Sequence, residues 1–267
     1  LGLDYQALSE INPRLIYCSI TGYGQTGGYQ NKAGHDINYV ALSGIAGHSG
    51  RQHSGPPPMG IQIADIAGGS LHSVIGILAA VIERQRSGLG QYIDISMTDC
   101  VVGLSSMAAA ASLAGQEKQG PEQSYLNGAT FYDYYETQDG RYLSIGSLEP
   151  QFLYGLAQSL ELPIVAEKGA SLATEDRQVV KQAIKDKIKT QDFATWNAIF
   201  QQQDVCVEPV LKLDEALDSQ LAKDRAWVVS VPLKDGSTKS EQQLACPIKF
   251  SRSKIRYEFI GKPLGFD

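Results

Sequence analysis

Apolar runs and glycine-rich breaks alternate along the chain, and the spacing of each run predicts an element. Residues 15–20, Leu-Ile-Tyr-Cys-Ser-Ile, form a short continuous apolar run that stops at Thr21-Gly22-Tyr23-Gly24. A parallel strand covered on both faces and entering a loop has that pattern. Asp36 to Ser43 reads as a helical turn, and Gly44 to Gly60, with Pro56-Pro57-Pro58, as an irregular loop. Ile61 to Ile66 is apolar apart from Gln62 and Asp65, and Gly68-Gly69-Ser70 follows. Leu71, Val74, Ile75, Leu78, Val81 and Ile82 then recur at helical spacing. Arg84 and Arg86 suit the carbonyl end of that helix, and Gly88 stops it. From Gln91 to Met97, Ile93, Ile95 and Met97 alternate with polar neighbours as in a strand. Strand, glycine loop, helix and strand in that order describe an α/β domain.

The pattern changes at a polar stretch, Gln116 to Gln123. Beyond it Thr130–Thr137 and Arg141–Gly146 flank Gln138-Asp139-Gly140, a hairpin signal. Helices are expected at Glu149–Leu160, Thr174–Lys189, Phe193–Gln203 and Leu213–Lys223. A second hairpin, Trp227–Leu233 with Gln242–Cys246, turns at Lys234-Asp235-Gly236. The expectation is an α/β domain over 1–118, a smaller α+β domain over 119–246, and a segment, 247–267, returning toward the first.

Composition narrows the function classes. The 267 residues are 43% hydrophobic and 19% charged, ordinary for a globular chain, and the net charge is −6. A nucleic-acid binder or a protein held to anionic lipid would carry a basic face instead. Four cysteines, Cys18, Cys100, Cys206 and Cys246, stand far apart and read as reduced, mostly buried thiols. No zinc pattern joins them, and His48 and His53 are five apart, off the spacing of a helical metal pair. Cys100 to Gln116 lacks charge but is mostly Ala, Ser and Gly, so a buried helix is expected there rather than a membrane span.

Two apparent motifs fail on chemistry. Gly22-Tyr23-Gly24-Gln25-Thr26-Gly27 satisfies the spacing of a dinucleotide loop. It lacks both a helix opening among the glycines and an acid about 20 residues on for the ribose. Gly47-His48-Ser49-Gly50 is not a nucleophile elbow, since no GxSxG turn is present.

Three strings carry polar chemistry in apolar settings: Gly34-His35-Asp36-Ile37-Asn38-Tyr39, Ile63-Ala64-Asp65-Ile66-Ala67-Gly68-Gly69, and Ser147-Leu148-Glu149-Pro150-Gln151-Phe152. Taken singly, Asp65 reads equally as a helix cap, Glu149 as a first-turn acid, and His35 as a hydrogen-bonded core residue. Taken together they fit proton abstraction beside a carbonyl. That chemistry needs a base and an acid on opposite sides of one carbon, and donors for the developing oxyanion. His35 and Asp65 are the candidate pair, and the amides of Ala67, Gly68, Gly69 and Ser70, at an expected helix start, are the candidate donors.

These strings, with Asn12-Pro13-Arg14-Leu15-Ile16-Tyr17, Thr21-Gly22-Tyr23-Gly24-Gln25 and Gly90-Gln91-Tyr92-Ile93-Asp94-Ile95-Ser96-Met97, resemble the family III CoA-transferases. Within that family, Gly34–Tyr39 and Glu149–Phe152 resemble the α-methylacyl-CoA racemase branch. The resemblance implies a Rossmann-like large domain and a small α+β domain in an interlocked homodimer, with the active site where the two kinds of domain meet. It implies a racemase of 2-methyl-branched acyl-CoA thioesters that uses no metal or organic cofactor. His35 is then the base for one enantiomer and Asp65 for the other, Glu149 holds the histidine, Tyr132 hydrogen-bonds Asp65, and Asp36 is a supporting neighbour. Family chains run longer at both ends, so the sequence is expected to be an internal fragment, its CoA-gripping arginines lying outside it. Tyr125 to Phe131 is one glycine shorter than the loop usual in relatives, which leaves the acyl group open.

The competing readings are a CoA-transferase in which Asp65 is the nucleophile, and a folded remnant that only binds or dimerises. A transferase needs the aspartate but not a His35–Glu149 pair, so the pair favours the racemase. The expected compartment is the cytoplasm, although relatives also occupy mitochondria and peroxisomes. No nucleic acid or membrane partner is expected.

Overall fold

Tyr17–Thr21 (β1) and Tyr92–Ser96 (β2) pair in parallel, in register from Tyr17 opposite Tyr92 to Thr21 opposite Ser96. The computed structural model describes residues 2–115, 120–233, 239–258 and 260. Before β1 lies a short helix, Tyr5–Ile11 (α1), capped by Asp4, whose carboxylate accepts the Ala7 amide at 3.0 Å. Between the strands come Asp36–Leu42 (α2), Ile45–His48 (α3) and a long helical segment. The segment opens with wide π-type turns over Ala64–Leu71 and continues as His72–Ser87 (α4), ending at Gly88 with φ 79°. Parallel strands need a crossover of this kind, and the helix supplies it. Gly44 to Gly60 is therefore not wholly irregular, because α3 forms once Gly44 turns the chain at φ 85°.

The face that this crossover helix buries differs from the one its periodicity predicts. Val74, Ile75, Leu78 and Ile82 are exposed, whereas Gly69, Ser73 and Ala80 are buried. The small residues at 69, 73, 76 and 80 share one helical face, and their size lets the helix approach its neighbours closely. A Cβ on Gly68 would stand 2.9 Å from the Met97 carbonyl oxygen, and one on Gly76 would stand 3.2 Å from Ile93. Ala64–Ser87 spans 24 residues and by length and composition could cross a membrane. Here it packs on the strand pair and on Met97–Leu104 (α5). The uncharged stretch from Cys100 is not one buried helix. The chain breaks at Ser105, and the helix that follows, Ser106–Leu113 (α6), buries none of its residues.

Past Gly120 the chain builds its larger core. Asp133–Glu136 (β3) and Tyr142–Ile145 (β4) form the expected hairpin, and Val207–Pro209 (β5) adds to β4, giving the order β3-β4-β5. Helices Pro150–Leu160 (α7), Pro163–Lys168 (α8), Thr174–Ile188 (α9) and Phe193–Phe200 (α10) follow the hairpin. In α7, Leu153, Leu156, Ala157 and Leu160 are buried at helical spacing, as are Val180, Ile184 and Ile188 in α9. Trp196 packs among them and donates its indole N–H to the Ile188 carbonyl at 2.7 Å.

One ionic knot joins the two stretches. Arg51 reaches Asp133 with both guanidinium arms at 2.7 Å each and Glu122 at 3.0 Å, and Lys181 closes on Asp133 at 2.6 Å. The knot spans the expected boundary near 118, and by its contacts the chain forms two compact units, Leu1–Glu208 and Pro209–Asp267. The polar stretch at 116–119 lies outside the described residues.

The second unit holds Leu213–Asp218 (α11), Gln220–Asp224 (α12), Val228–Pro232 (β6) and Ser240–Leu244 (β7). The helix expected over Leu213–Lys223 is split because Ser219 caps a new one, its hydroxyl accepting the Ala222 amide at 3.1 Å. β6 and β7 pair antiparallel from Val228–Leu244 to Pro232–Ser240, two residues before the expected second strand. The expected turn Lys234-Asp235-Gly236 lies outside the described residues, as do 259 and 261–267 of the expected return segment. The cysteines are free, but none is buried and Cys206 is exposed, against the sequence expectation.

Candidate active site

His35 occupies the cap position of α2 in extended conformation, and the Asn38 side chain accepts its amide at 3.0 Å. One turn on, the Tyr39 hydroxyl donates to the Gly34 carbonyl at 2.5 Å, which fixes the peptide just before the histidine. Tyr39 is buried, and burial pushes its phenol up, with Tyr23 and Asp65 adding to the effect. It therefore stays a protonated donor. The ring lies against Gly22, where any side chain would meet it, and edge-on to Tyr23 with centroids 5.1 Å apart. This accounts for Gly22 in the loop after β1, which seats an aromatic ring. Side chains meet two of the loop amides, Thr21 accepting that of Gly24 at 3.0 Å and Asp94 that of Gln25 at 2.9 Å.

Asp36, the first residue of α2, turns its carboxylate onto the start of the next helix. Its Oδ1 accepts the amide of Ala64 at 2.6 Å and that of Asp65 at 3.0 Å. Two helix N-termini, each favouring negative charge, thus converge on this one carboxylate. Asp65 is not set before the helix, as its apolar neighbourhood implied, but in the first turn. It does not cap. Among the described residues its side chain, which is exposed, makes no hydrogen bond or ion pair. The expected donors are displaced for the same reason. Ala67, Gly68, Gly69 and Ser70 lie inside the helical segment, where Gly68 and Gly69 are buried, and the free end is Ala64–Asp65, already taken by Asp36.

Glu149 and Tyr132 form a second cluster. Glu149 stands at the cap position of α7 ahead of Pro150, is exposed, and makes no capping bond. Its charge reaches Cys206, whose thiol is pushed up by burial first and then by Glu149, Asp204 and Glu208. The Tyr132 ring flanks Gly146, and the Gly146 amide donates to the Cys206 carbonyl at 2.9 Å. Tyr132, Gly146 and Cys206 line a cavity of about 780 Å³ whose wall also includes Arg51 and Asp133.

Asp36 thus brings the turn of His35 onto the first turn that holds Asp65, while Tyr132 flanks Gly146 and the charge of Glu149 reaches Cys206. Among the described residues, no hydrogen bond or ion pair joins His35 to Glu149 or Tyr132 to Asp65. Tyr39 and the Arg51–Asp133 pair were not singled out in the sequence. The i,i+4 spacing from His35 to Tyr39 was a usable signal; a single arginine in a Gly, Ser and Pro loop was a weaker one.

The family model of CoA-transferase family III matches residues 1–267. An alpha-methylacyl-CoA racemase of Mus musculus is 40% identical over 232 residues, covering 86% of this chain and 60% of the relative. The Homo sapiens protein of that description is 36% identical, covering 89% and 62%. A succinyl-CoA:glutarate CoA-transferase of Homo sapiens is 30% identical, covering 79% and 48%. The chain therefore spans about 60% of the length of the racemases that it matches. A CAIB/BAIF family protein from Brucella suis superposes with a TM-score of 0.76 at 29% identity, covering 97% of this chain and 67% of that one. Matched along its whole length by the family model and superposing on a solved relative, the chain belongs to CoA-transferase family III.

Proposed function

We propose that this chain carries the proton-transfer centre of a racemase acting on 2-methyl-branched acyl-CoA thioesters. The observation that carries the reading is that Asp36 joins the two helix starts that carry the histidine and an exposed aspartate. The greater identity to racemases than to transferases supports it. In this mechanism one of His35 and Asp65 takes the α-proton, the electrons pass into the thioester as an enolate, and the other residue returns a proton to the opposite face. Glu149 and Tyr132 serve the same centre in an interlocked homodimer. CoA, the carrier of the substrate, is the partner, and the cytoplasm is the proposed compartment.

A transferase is the second reading, supported by the 30% identical succinyl-CoA:glutarate enzyme. There Asp65 attacks the thioester carbonyl and expels CoA thiolate, and the thiolate attacks the Asp65 carbonyl of the anhydride and releases the donor acid. The acceptor carboxylate then displaces the thiolate from Asp65, and the thiolate attacks the acceptor carbonyl of this second anhydride, freeing Asp65. Deuterium separates the two. Incubated with a 2-methylacyl-CoA in deuterated water, a racemase places deuterium at C2, and His35→Ala stops this. A transferase leaves C2 untouched and moves CoA to added succinate or glutarate. Transfer without exchange would reverse the assignment.

A further inference from the structure

The histidine and the aspartate sit on different elements, 30 positions apart in sequence, yet a two-base reaction needs them at one fixed separation across a single carbon. Among the described residues, beside the apolar cluster of Tyr39, Val40 and Ala64, one hydrogen-bonded link spans that interval directly. It runs from His35 through the peptide to Asp36, and from Asp36 Oδ1 through two hydrogen bonds to the amides of Ala64 and Asp65. The helix does not depend on Asp36 for a cap of ordinary origin. The Gln62 carbonyl accepts the Ile66 amide at 2.9 Å, so Gln62 stands where a capping side chain normally would, but it is a glutamine, and exposed. The capping bonds come instead from 28 residues away. A local Asp, Ser or Asn would have satisfied the same two amides with no connection to α2.

We infer that Asp36 is a positioning residue that tethers the Asp65 helix to the His35 turn and so sets the separation of the two proton-transfer groups. The inference rests on the racemase reading. Both amides converge on a single oxygen, Oδ1, which asparagine also possesses. The tether therefore requires an acceptor in that place, and an amide oxygen can provide it. Loss of the tether is expected to act on kcat, because Asp36 holds bases rather than substrate, and a displacement near 1 Å is worth about a hundredfold in rate.

The test compares Asp36→Ala, Asp36→Asn and the double variant Asp36→Ala/Gln62→Asp by deuterium wash-in and by thermal unfolding. The double variant gives Ala64 and Asp65 a local cap without restoring the link to α2, and it carries the test if Asp36→Ala alone does not fold. The expected result is a kcat lowered about a hundredfold in Asp36→Ala with KM nearly unchanged. Asp36→Asn should stay within roughly tenfold of the wild type. The double variant should regain the wild-type melting temperature and remain as slow as Asp36→Ala. A double variant that recovers its rate makes Asp36 a helix cap and nothing more. Full activity in Asp36→Ala, or an asparagine variant as slow as alanine, equally overturns the tether. A wild-type protein that exchanges no deuterium refutes the racemase reading itself, and is recognised before any variant is compared.

Discussion

Arg51 grips Asp133 with both arms of its guanidinium, each nitrogen 2.7 Å from a carboxylate oxygen. The pair is partly buried, the Asp133 side chain being only 7% exposed and that of Arg51 42%. Burial alone would raise the Asp133 carboxyl, but hydrogen bonds from Arg51, Lys181 and its own strand outweigh it, and the group is held below the usual range. Glu122 is lowered in the same way, burial opposing and the Gln52 amide, Arg51 and Lys181 prevailing.

A group depressed on folding adds stability that is present above its unfolded pKa and lost as pH falls through the folded one. The knot is therefore intact at neutral pH and should fail below about pH 4, the ordinary carboxylate value. Asp133→Asn leaves Arg51 and Lys181 without their acceptor and should cost roughly 1–3 kcal/mol at pH 7. It should also flatten the acid limb of unfolding. Urea titrations between pH 3 and pH 7 read both effects, and a variant whose acid limb matches the wild type contradicts the assignment.

Tyr39 leans on Gly22, where an added methyl group has no room. Gly22→Ala should destabilise by roughly 1–3 kcal/mol and displace the ring that fixes the peptide before His35. Gly28→Ala is the control, since nothing lies within 4 Å of a Cβ built there, and it should stay within about 0.5 kcal/mol. Equal losses at the two positions would disprove the packing argument.

Cys206 is exposed yet poorly ionised, burial and then the carboxylates of Glu149, Asp204 and Glu208 opposing the thiolate. Its alkylation by iodoacetamide should lag behind a free cysteine of ordinary pKa, about 8.5, and accelerate only at higher pH. Glu149→Gln removes one of the opposing charges and should speed the reaction at pH 8. Mass spectrometry of the Cys206 peptide follows it. Unchanged labelling in the variant would place Glu149 too far away to matter.

The strand–helix–strand unit and the later hairpin were legible because period-2 and period-3.6 patterns report burial directly. The crossover helix was legible as a helix but not in its orientation. Leu78 and Ile82 predicted the buried face, while Gly69, Ser73 and Ala80 occupy it, since close approach to strands rewards small volume over hydrophobicity. Asp65 was expected just before the helix, but the wide turns of Ala64–Leu71 moved the helix start ahead of it. The task of Asp36 was invisible because its partners lie 28 and 29 residues away, and no local pattern encodes a cap supplied from another element.

Sixteen buried apolar residues cluster between Phe131 and Val207, whereas Tyr39, Val40, Ala64 and Val101 make up the cluster beneath His35 and Asp65. Opening free energies follow such differences, so the two regions should breathe on separate clocks. Amides of α7 and α9 should exchange with solvent only when the whole unit unfolds. Those of α2 and of Ala64–Leu71 should exchange through smaller and more frequent excursions, visible as earlier deuterium uptake in peptide mass spectrometry. The proposed proton-transfer groups then sit on the looser ground, and the time that they spend aligned becomes a quantity that the surrounding molecule must supply.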